Sequence, residues 1–382
     1  MHGRDAECAV VFITMSLTHL KIQNLRNLAT AALNFAPGVN FVVGPNGSGK
    51  SSLLEAVTIL SRGRSFRTHQ LRHVAARGQE SFTLFGRVGS RDVGLDDTPI
   101  GFEFSSALGT RGKIGFENVR RISELAGVFP VSYIGPEVLG LFAGSPQERR
   151  AFLDWGLFHV EQIYLSTYQR YARALKQRNA AIRLGGATER SLVTAWDAEL
   201  ADAGTVLTTM RDTYLSALQD ALKDLLPKLL CLAVSDVELR FSAGWRTESG
   251  SLRDALTRSL ERDLVLGSTQ VGPHRADYRL YINGEPAKNH LSGGQMKISV
   301  CVFVFVQIRH AVLRQAGYPT LLIDDLPAEL DQHHRGVVID ELAKLPCQII
   351  AASTEKSLVC LEGFGAPEKT FHVEHGTFTE YS

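Results

Sequence analysis

Eight consecutive residues, Gly44-Pro45-Asn46-Gly47-Ser48-Gly49-Lys50-Ser51, have the types and spacing of a phosphate-binding loop. The glycines permit backbone angles that aim successive N–H groups at phosphate oxygens, and the helix predicted next directs its positive end at the same anion. We expect Lys50 to reach the β- and γ-phosphates of ATP and the Ser51 hydroxyl to bind Mg²⁺. The candidate nucleotide contacts are Gly44, Pro45, Asn46, Gly47, Ser48, Gly49, Lys50, Ser51 and Ser52.

Two adjacent carboxylates follow a later apolar run. Leu321-Leu322-Ile323 has the pattern of a buried strand and ends at Asp324 and Asp325. Asp324 matches the aspartate that holds Mg²⁺ in phosphate-loop ATPases, and Asp325 is placed to orient or deprotonate the attacking water. A solvated pair at a strand end has the same pattern, but the phosphate loop upstream favours catalysis. Asp325 and Lys50 are therefore the candidate catalytic residues.

A third motif, Leu291-Ser292-Gly293-Gly294-Gln295, precedes an apolar segment. Small residues at a helix start form an anion cradle, so this motif repeats the task of the phosphate loop. One chain does not need two cradles for one γ-phosphate, whereas two copies arranged head to tail do. We expect an ATP-dependent homodimer in which these residues contact the partner's nucleotide: Ser292, Gly293, Gly294 and Gln295.

The segment from Ala56 to Gln79 has no acidic residue and carries five arginines. Such a cluster can neutralise several DNA phosphates and makes binding salt-dependent. A second basic run lies on a predicted helix, where a solvated helix surface is the favoured interpretation. Either run could instead bind an acidic surface of a partner protein. The candidate DNA contacts are Arg62, Arg64, Arg67 and Arg72, and the second run comprises Arg170, Arg173, Lys176, Arg178 and Arg183.

Hydrophobic periodicity predicts the elements that position these residues. Residues 17–43 indicate two strands joined by a polar turn, with Val39–Val43 a buried strand that leads into the phosphate loop. Residues 51–60 have helical spacing, and residues 146–232 are mostly helical. The segment Val300–Val306 is β-branched enough to resemble a strand, but the preceding motif predicts a helix. Other predicted elements are an antiparallel sheet over residues 81–118, strands at 237–241, 320–323 and 348–352, and a type I′ hairpin turn at Asn283-Gly284.

Composition limits the protein class. The chain has 382 residues, of which 44% are hydrophobic and 21% charged, as in globular proteins. Its net charge of +1 argues neither for nor against a polyanionic partner. No apolar run reaches the roughly 20 residues of a membrane span. The five scattered cysteines form no CxxC pair, which favours a reducing compartment and gives no zinc site. We expect a cytoplasmic protein without a membrane segment.

Along the chain, the phosphate loop, the signature motif Leu291–Gln295 and the strand that ends at Asp324 and Asp325 follow in an order that resembles the ABC ATPase superfamily. A tighter resemblance, to the RecF family of bacterial recombination mediators, runs from about residue 17 to the end. The arginine-rich and Gly-Pro-His-Arg stretches are the most specific. The stretches that carry the resemblance are Lys21–Asn27, Gly44–Ser52, Ser61–Arg67, Gly144–Pro146, Glu148–Asp154, Gly272–Arg275 and Ile323–Pro327.

This resemblance implies an α/β fold, a two-lobed ABC-type ATPase with a mixed sheet in lobe I, a mainly helical lobe II and no long coiled coil. It implies slow ATP hydrolysis, ATP-dependent dimerisation, and binding to gapped duplexes or single-strand–double-strand junctions. It also implies work with RecR and RecO to load RecA. Arg26 would lie near the base or α-phosphate side of the nucleotide, and Asp331, in the D-loop-like Ala328-Glu329-Leu330-Asp331, would lie across the dimer interface.

The expected lobes are discontinuous. Lobe I would combine residues 15–135 and 311–382, and lobe II would be residues 136–310 and end in the signature helix. Residues 1–14 precede a fresh pattern at Met15 and form an extension to which we assign no function.

Four positions depart from the expected patterns. Asp325 stands where ABC ATPases usually have Glu, and its shorter side chain fits slow turnover. Gly135-Pro136-Glu137 occupies the place of the Q-loop glutamine, and Ser353-Thr354 that of the switch histidine. Ala276 follows Gly-Pro-His-Arg where the resemblance suggests an acidic residue.

Three rival functions share part of this pattern. An ABC-type ATPase subunit acting on a protein or transport partner is usually more compact between phosphate loop and signature. A chromosome-organising or break-repair ATPase needs long heptad runs or a CxxC hook. A scaffold with a relic ATP site is disfavoured by the intact Lys50, Ser51 and Asp324. We therefore expect an ATP-dependent DNA-binding protein of recombinational repair and replication maintenance.

Overall fold

The computed structural model describes residues 15–90, 97–136, 140–184, 189–232, 236–315, 317–325, 330–354 and 368–381. Contacts divide the chain into two compact units. The first unit comprises the residues up to Val138 and those from Ala311 onward, and the second comprises Leu139–His310. The lobe boundaries expected at residues 136 and 311 lie next to this division.

The first unit contains an antiparallel sheet of six strands in the order β2-β1-β4-β5-β6-β7. Residues 17–43 contribute three strands to the unit, so the prediction of two was wrong. The missed turn contains no Gly or Pro, and the chain reverses with Asn24 and Arg26 in left-handed conformations (φ 58° and 53°). The strands of this sheet are β1 Met15–Leu25, β2 Leu28–Asn34, β4 Ser81–Ser90, β5 Thr98–Ser105, β6 Gly109–Ile114 and β7 Glu117–Asn118.

A second six-stranded sheet in the same unit is mixed, in the order β15-β14-β3-β13-β12-β8. Its strands pair in parallel except β15, which is antiparallel to β14. Its central strands are mostly apolar and buried, as expected when both faces of a parallel sheet are covered. The strands are β3 Val39–Val43, β8 Val131–Ile134, β12 Thr320–Asp324, β13 Ile349–Ser353, β14 Lys369–Glu374 and β15 Thr377–Tyr381.

Helix α1, Lys50–Arg62, packs against strands of both sheets. Eleven of its thirteen residues are buried, including Leu53, Leu54, Val57 and Leu60, which confirms the helix predicted from the spacing of residues 51–60. A helix so enclosed cannot move relative to the strands without opening the core. The other helices of this unit are α2 Ser123–Val128 and α11 Gln332–Leu342.

A buried glutamine joins the two sheets of the first unit. Gln348 is 1% exposed. Its Oε1 accepts from the Leu17 backbone N–H at 2.9 Å and the Thr320 hydroxyl at 3.0 Å. Its Nε2 donates to the carbonyls of Leu17 at 2.8 Å and Ala36 at 2.7 Å. The amide thus links β1 to the start of β12.

The second unit is mainly helical and carries one small antiparallel sheet, ordered β11-β10-β9. Asn283 and Gly284 both have positive φ, 51° and 82°, which confirms the predicted hairpin turn. Its strands are β9 Val237–Ser242, β10 Asp277–Ile282 and β11 Glu285–Pro286. Its helices are α3 Gly140–Ala143, α4 Pro146–Val160, α5 Tyr164–Leu184, α6 Glu189–Thr194, α7 Asp197–Leu230, α8 Leu252–Leu266, α9 Ala287–His290 and α10 Gly293–Leu313, whose last turn falls in the first unit.

The β-branched segment Val300–Val306 is helical and belongs to α10, which confirms the prediction from the preceding motif. Within the described part of the chain it is the one helix whose length and mean hydropathy, 1.6, would suffice to span a bilayer. However, 67% of that apolar stretch is buried inside the protein. Its composition therefore matches that of a core helix.

Part of the second basic run on α5 is structural. Arg178 is fully buried and donates to Asp197 at 2.7 Å, Asp263 at 2.6 Å and the Thr269 hydroxyl at 2.9 Å. Arg170, which lies closer to the start of the same helix, is exposed and pairs with Glu199 at 2.9 Å. The run therefore does not form one exposed stripe, and the interpretation as a solvated helix surface was wrong for Arg178, which is buried against its partners.

We expect Arg178→Ala to lower the free energy of unfolding by about 3–5 kcal/mol, because it leaves buried carboxylates without their counter-ion. Urea denaturation followed by far-UV circular dichroism measures this. The matched control is Arg170→Ala on the same helix, whose exposed pair is screened by solvent and should matter much less. Equal losses in the two variants would contradict the structural role of Arg178.

Candidate nucleotide site and nucleic-acid interface

The phosphate loop joins β3 to α1 in a conformation that needs its glycines. Gly47 and Gly49 have φ of 76° and 126°, which non-glycine residues rarely adopt. A Cβ on Gly44 would lie 2.2 Å from the Val373 carbonyl oxygen, whereas one on Gly47 would meet nothing within 4 Å. The loop is thus closely packed on its inner side and open at Gly47.

Two polar groups of the loop are buried. The Lys50 ammonium is 4% exposed and donates to the carbonyls of Gly44 at 2.8 Å and Pro45 at 3.0 Å. The Ser48 hydroxyl is buried and has no hydrogen-bond partner among the described residues. A buried hydroxyl without a partner is costly unless a ligand satisfies it. The donor set and the orphaned hydroxyl fit a phosphate group.

Asn27 supports the loop from the turn between β1 and β2. Its Nδ2 donates to the Gly47 carbonyl at 3.1 Å, and its Oδ1 accepts from the Ser52 hydroxyl at 2.8 Å. No motif in the sequence assigns a role to Asn27, although it lies in a stretch that carries the family resemblance. Ser52, a candidate nucleotide contact, instead faces Asn27.

Both carboxylates lie at the edge of the sheet where the phosphate loop begins. Asp324 ends β12, one strand from β13 and two from β3, so about 10 Å separates the strands that carry loop and carboxylates. Asp324 is 6% exposed. Asp325 follows in a left-handed conformation, φ 49°, and its N–H donates to the Ala352 carbonyl at 3.0 Å. Such strain is typical of functional sites.

The same edge carries two further departures noted in the sequence, those at the places of the Q-loop glutamine and the switch histidine. Gly135 and Pro136 follow β8, the neighbour of β12, while Glu137 lies outside the described residues. Ser353 ends β13, and its carbonyl accepts from the Gly44 N–H at 3.3 Å. The carboxyl ends of four adjacent parallel strands therefore lie along the sheet edge from which the phosphate loop extends.

No group of three or more His, Cys, Asp or Glu side chains suited to a metal occurs in the described ranges. Mg²⁺ is commonly held by few protein ligands together with substrate phosphates and water. Ser51 and Asp324 at this sheet edge fit that mode.

Arg26 is held by the protein itself. Its guanidinium binds Glu55 of α1 through two hydrogen bonds, 2.9 and 2.8 Å, and the His73 carbonyl at 2.6 Å. Glu55 is fully buried and also accepts from the Ser65 hydroxyl at 2.5 Å. The pairing raises the pKa of Arg26, so it remains charged. A role at the nucleotide for its side chain, which is 25% exposed, stays a prediction.

The role of Glu55 was not predicted from the sequence. It is the one acidic residue of α1, and an acid in an otherwise apolar or small-residue helix signals a buried ion pair. Besides Arg26, its carboxylate lies 4.0 Å from Arg67.

The basic segment after α1 separates into exposed and buried arginines. Arg64, Arg67 and Arg72 are exposed. Arg62 differs, because its guanidinium donates to the Val131 carbonyl of β8, and burial lowers its pKa. Arg62 therefore does not belong to the same surface as the other three. Phe66 stacks on Tyr133 of β8 at 4.1 Å between ring centroids, which fixes the segment on the mixed sheet.

The Ser-Gly-Gly motif starts α10 with its glycines exposed. Ser292 and Gln295 cap the helix reciprocally: the Ser292 N–H donates to Gln295 Oε1 at 2.9 Å and the Gln295 N–H to Ser292 Oγ at 3.3 Å. A Cβ on Gly293 or Gly294 would meet nothing within 4 Å. Glycine weakens a helix, and no neighbour among the residues that the structure describes requires it here. This is the pattern expected where another molecule approaches closely.

Asp331 caps a helix. It accepts from the His334 N–H at 3.0 Å and contacts the His334 ring at 2.6 Å, and the backbone hydrogen bond holds the pKa of Asp331 below its usual range. Its neighbours Ala328 and Glu329 lie outside the described residues. The side chain is 65% exposed, and its role across a dimer interface stays a prediction.

The Gly-Pro-His-Arg stretch belongs to a polar network of the second unit. His274 contacts the Tyr171 hydroxyl at 2.6 Å and the Thr269 carbonyl at 3.0 Å, and burial lowers its pKa to about 4. Ala276 is 1% exposed, so an acid there would be buried. The next residue, Asp277, instead forms a two-point ion pair with Arg149 at 2.6 and 3.0 Å.

A phosphate loop at the edge of a parallel sheet, two carboxylates at a neighbouring strand end and a Ser-Gly-Gly helix start together define an ABC-type ATPase fold. Residues 16–377 match the family described as RecF/RecN/SMC N terminal domain. The chain is 36% identical over 368 residues to the DNA replication and repair protein RecF of Shewanella sediminis, covering 96% of this chain and 99% of that protein. The identity to RecF of Stutzerimonas stutzeri is 38% over 368 residues, covering 96% and 98%. The chain therefore belongs to the RecF family of DNA replication and repair proteins, which confirms the resemblance.

Solved structures agree with this assignment. The recombination mediator protein RecF-ATP of the RecFOR pathway superposes with a TM-score of 0.84 at 26% identity, covering all of both chains. The Smc head domain of Pyrococcus furiosus, bound to the C-terminal domain of ScpA, has a TM-score of 0.57 at 14% identity and covers 96% of each chain. The second likeness concerns the fold alone.

We expect Gly44→Ala to destabilise the first unit by about 1–3 kcal/mol, because its Cβ would collide with the Val373 carbonyl. In contrast, Gly294→Ala should leave stability unchanged or raise it by up to about 1 kcal/mol, because it adds helix propensity in open space. Urea denaturation of both variants compares them directly. A loss of stability in Gly294→Ala equal to that in Gly44→Ala would show that the second glycine is needed for folding.

Proposed function

We propose that this protein binds ATP with Mg²⁺, closes with a second copy head to tail around DNA in that state, and hydrolyses ATP slowly to release the DNA. Its DNA would be a gapped duplex or a single-strand–double-strand junction, and it would help load RecA in the cytoplasm together with RecR and RecO. The observation that carries the proposal is the exposed pair Gly293 and Gly294, which no neighbour in the described part of the chain requires, combined with a complete phosphate loop.

Each chain-derived group has a distinct task in this proposal. Lys50 and the loop N–H groups would hold the β- and γ-phosphates, and the orphaned Ser48 hydroxyl would gain a partner. Ser51 and Asp324 would hold Mg²⁺, which supplies charge compensation for the phosphates. Asp325 would orient the water that attacks the γ-phosphate, and the partner's Ser-Gly-Gly would complete the site.

The DNA surface of the proposal is the exposed part of the basic segment. Arg64, Arg67 and Arg72 are accessible, and Phe66 and Glu55 tie the segment to the sheet and helix that carry the phosphate loop. This physical link supports coupling between the nucleotide and the DNA surface. Arg62 is left out of the surface because its guanidinium serves Val131.

We expect Lys50→Ala to abolish ATP binding, because it removes the buried ammonium of the loop. Asp325→Asn should bind ATP, accumulate as a dimer and hydrolyse at least about 100-fold more slowly, because the amide cannot take a proton. Asn tolerates the left-handed backbone at this position nearly as well as Asp. Equilibrium ATP binding, phosphate release and sedimentation separate these outcomes. Hydrolysis by Asp325→Asn at the wild-type rate would remove Asp325 from catalysis.

We expect a labelled gapped duplex to bind the protein with Mg-ATP far more tightly than without nucleotide. Arg64→Ala/Arg67→Ala should weaken this binding and reduce the slope of log affinity against log salt by about 1.8, since each lost duplex contact removes about 0.9. Arg170→Ala, an exposed arginine paired with Glu199, is the control that should keep the slope. Absence of binding in both nucleotide states would favour a protein partner as the main target, and a monomer at saturating ATP and DNA would exclude the dimer.

A further inference from the structure

The solvent face of the antiparallel sheet carries cations that the nucleotide site does not use. Ile22, Leu84, Ile100 and Phe102 alternate toward the core and are at most 2% exposed. The residues between them face solvent. We define the basic sheet face by six of these residues: Lys21, Phe85, Arg87, Glu103, Arg111 and Lys113.

An aromatic ring lies in the middle of this face, between cations. Strand register places Lys21 opposite Phe85, Phe85 opposite Gly101 and Gly101 opposite Lys113, a single row across four strands. Directly opposite residues are about 5 Å apart. Phe85 therefore has one lysine as its neighbour and a second lysine two strands away on its other side.

Glycine leaves the surface beside the ring open. A Cβ on Gly101 would have contacts no closer than 3.8 Å, to the Leu84 carbonyl and to Lys113. The Phe85 ring is 38% exposed, and the His19 ring packs edge-on against it at 6.3 Å between centroids. A flat group could thus lie against Phe85 without moving a side chain.

A cavity of about 750 Å³ continues the basic sheet face from Gly101 toward β7. Its charged lining comprises four cations and one carboxylate: Arg111, Lys113, Arg120, Arg121 and Glu103. Register places Glu103 opposite Arg111, so this carboxylate offsets one of the cations. The net charge of this lining is therefore positive and complements a polyanion.

The combination of cations and an open aromatic ring distinguishes between polyanions. A duplex keeps its bases stacked inside, so an exposed ring on a flat sheet gains little from it. A single strand presents both phosphates and free base faces, and single-strand-binding surfaces pair a basic groove with stacking aromatics. An acidic protein segment would use the cations but not the ring.

We propose that the basic sheet face binds the single-stranded part of a gapped or junction DNA, with phosphates on Lys21 and Lys113 and a base stacked on Phe85. This inference rests on the proposed function and adds a second DNA surface to the arginines that would hold the duplex. The row from Lys21 to Lys113 crosses four strands, so at about 4.8 Å per strand spacing it is about 14 Å long, enough for two or three nucleotides.

The test measures binding of a fluorescent oligothymidylate and of a blunt duplex to the full chain with Mg-ATP, over a series of salt concentrations. Phe85→Ala should weaken single-strand binding by about 5- to 150-fold, the usual effect of losing one stacked base, without changing the salt slope. Phe85→Trp should restore it. Lys21→Gln/Lys113→Gln should reduce the single-strand salt slope by about 1.4, since each lost contact removes about 0.7. Duplex binding should stay at the wild-type level in all three variants.

Several outcomes would overturn the inference. Unchanged oligothymidylate binding in Phe85→Ala and in the double variant excludes this face. Loss in the double variant alone makes the face a general polyanion surface without stacking. Equal loss for duplex and single strand assigns it to duplex binding, provided that ATP still raises the melting temperature of the variants and so reports an intact fold. Failure of the wild type to bind any DNA would refute the proposed function as well, whereas wild-type binding with insensitive variants refutes this inference alone.

Discussion

The first unit depends on one buried amide, that of Gln348. An amide offers two donors and two acceptor lone pairs, and the four hydrogen bonds to Leu17, Thr320 and Ala36 use all of them. An unsatisfied buried amide would cost about 1–3 kcal/mol for each lost partner. Only one alignment of the antiparallel sheet over the mixed sheet satisfies the group, and α1 lies between the two. The amide thereby fixes the frame in which the phosphate loop is built.

Because this frame is rigid, the chemistry can reside in short segments at its edge. The phosphate loop follows β3, the carboxylates end β12, and Ser353 of β13 holds the loop through Gly44. The turn between β1 and β2 adds Asn27 and Arg26 from the other sheet. The phosphate loop is therefore supported from both sheets, whereas the Ser-Gly-Gly residues at the start of α10, in the second unit, are exposed.

Local motifs could be predicted from the sequence, and long-range partners could not. The phosphate loop, the Asn283-Gly284 turn and the signature helix depend on backbone conformations that nearby residues specify. A sequence does not show whether a charged side chain is buried, so Arg62 and Arg178 could not be distinguished from exposed arginines. In the structure Arg62 donates a hydrogen bond to a backbone carbonyl, and Arg178 forms ion pairs with two aspartates. Glu55 and Gln348 were missed because the residues that need them are distant in the chain.

The left-handed backbone of Asp325 restricts which residues this position can accommodate. Asp and Asn adopt such a conformation several-fold more readily than other non-glycine residues, whose cost is about 1–2 kcal/mol. Glutamate at this position would lengthen the carboxylate arm, but it would adopt the left-handed backbone of Asp325 less readily. Backbone conformation therefore selects the shorter acid here, independently of the chemistry that its carboxylate performs.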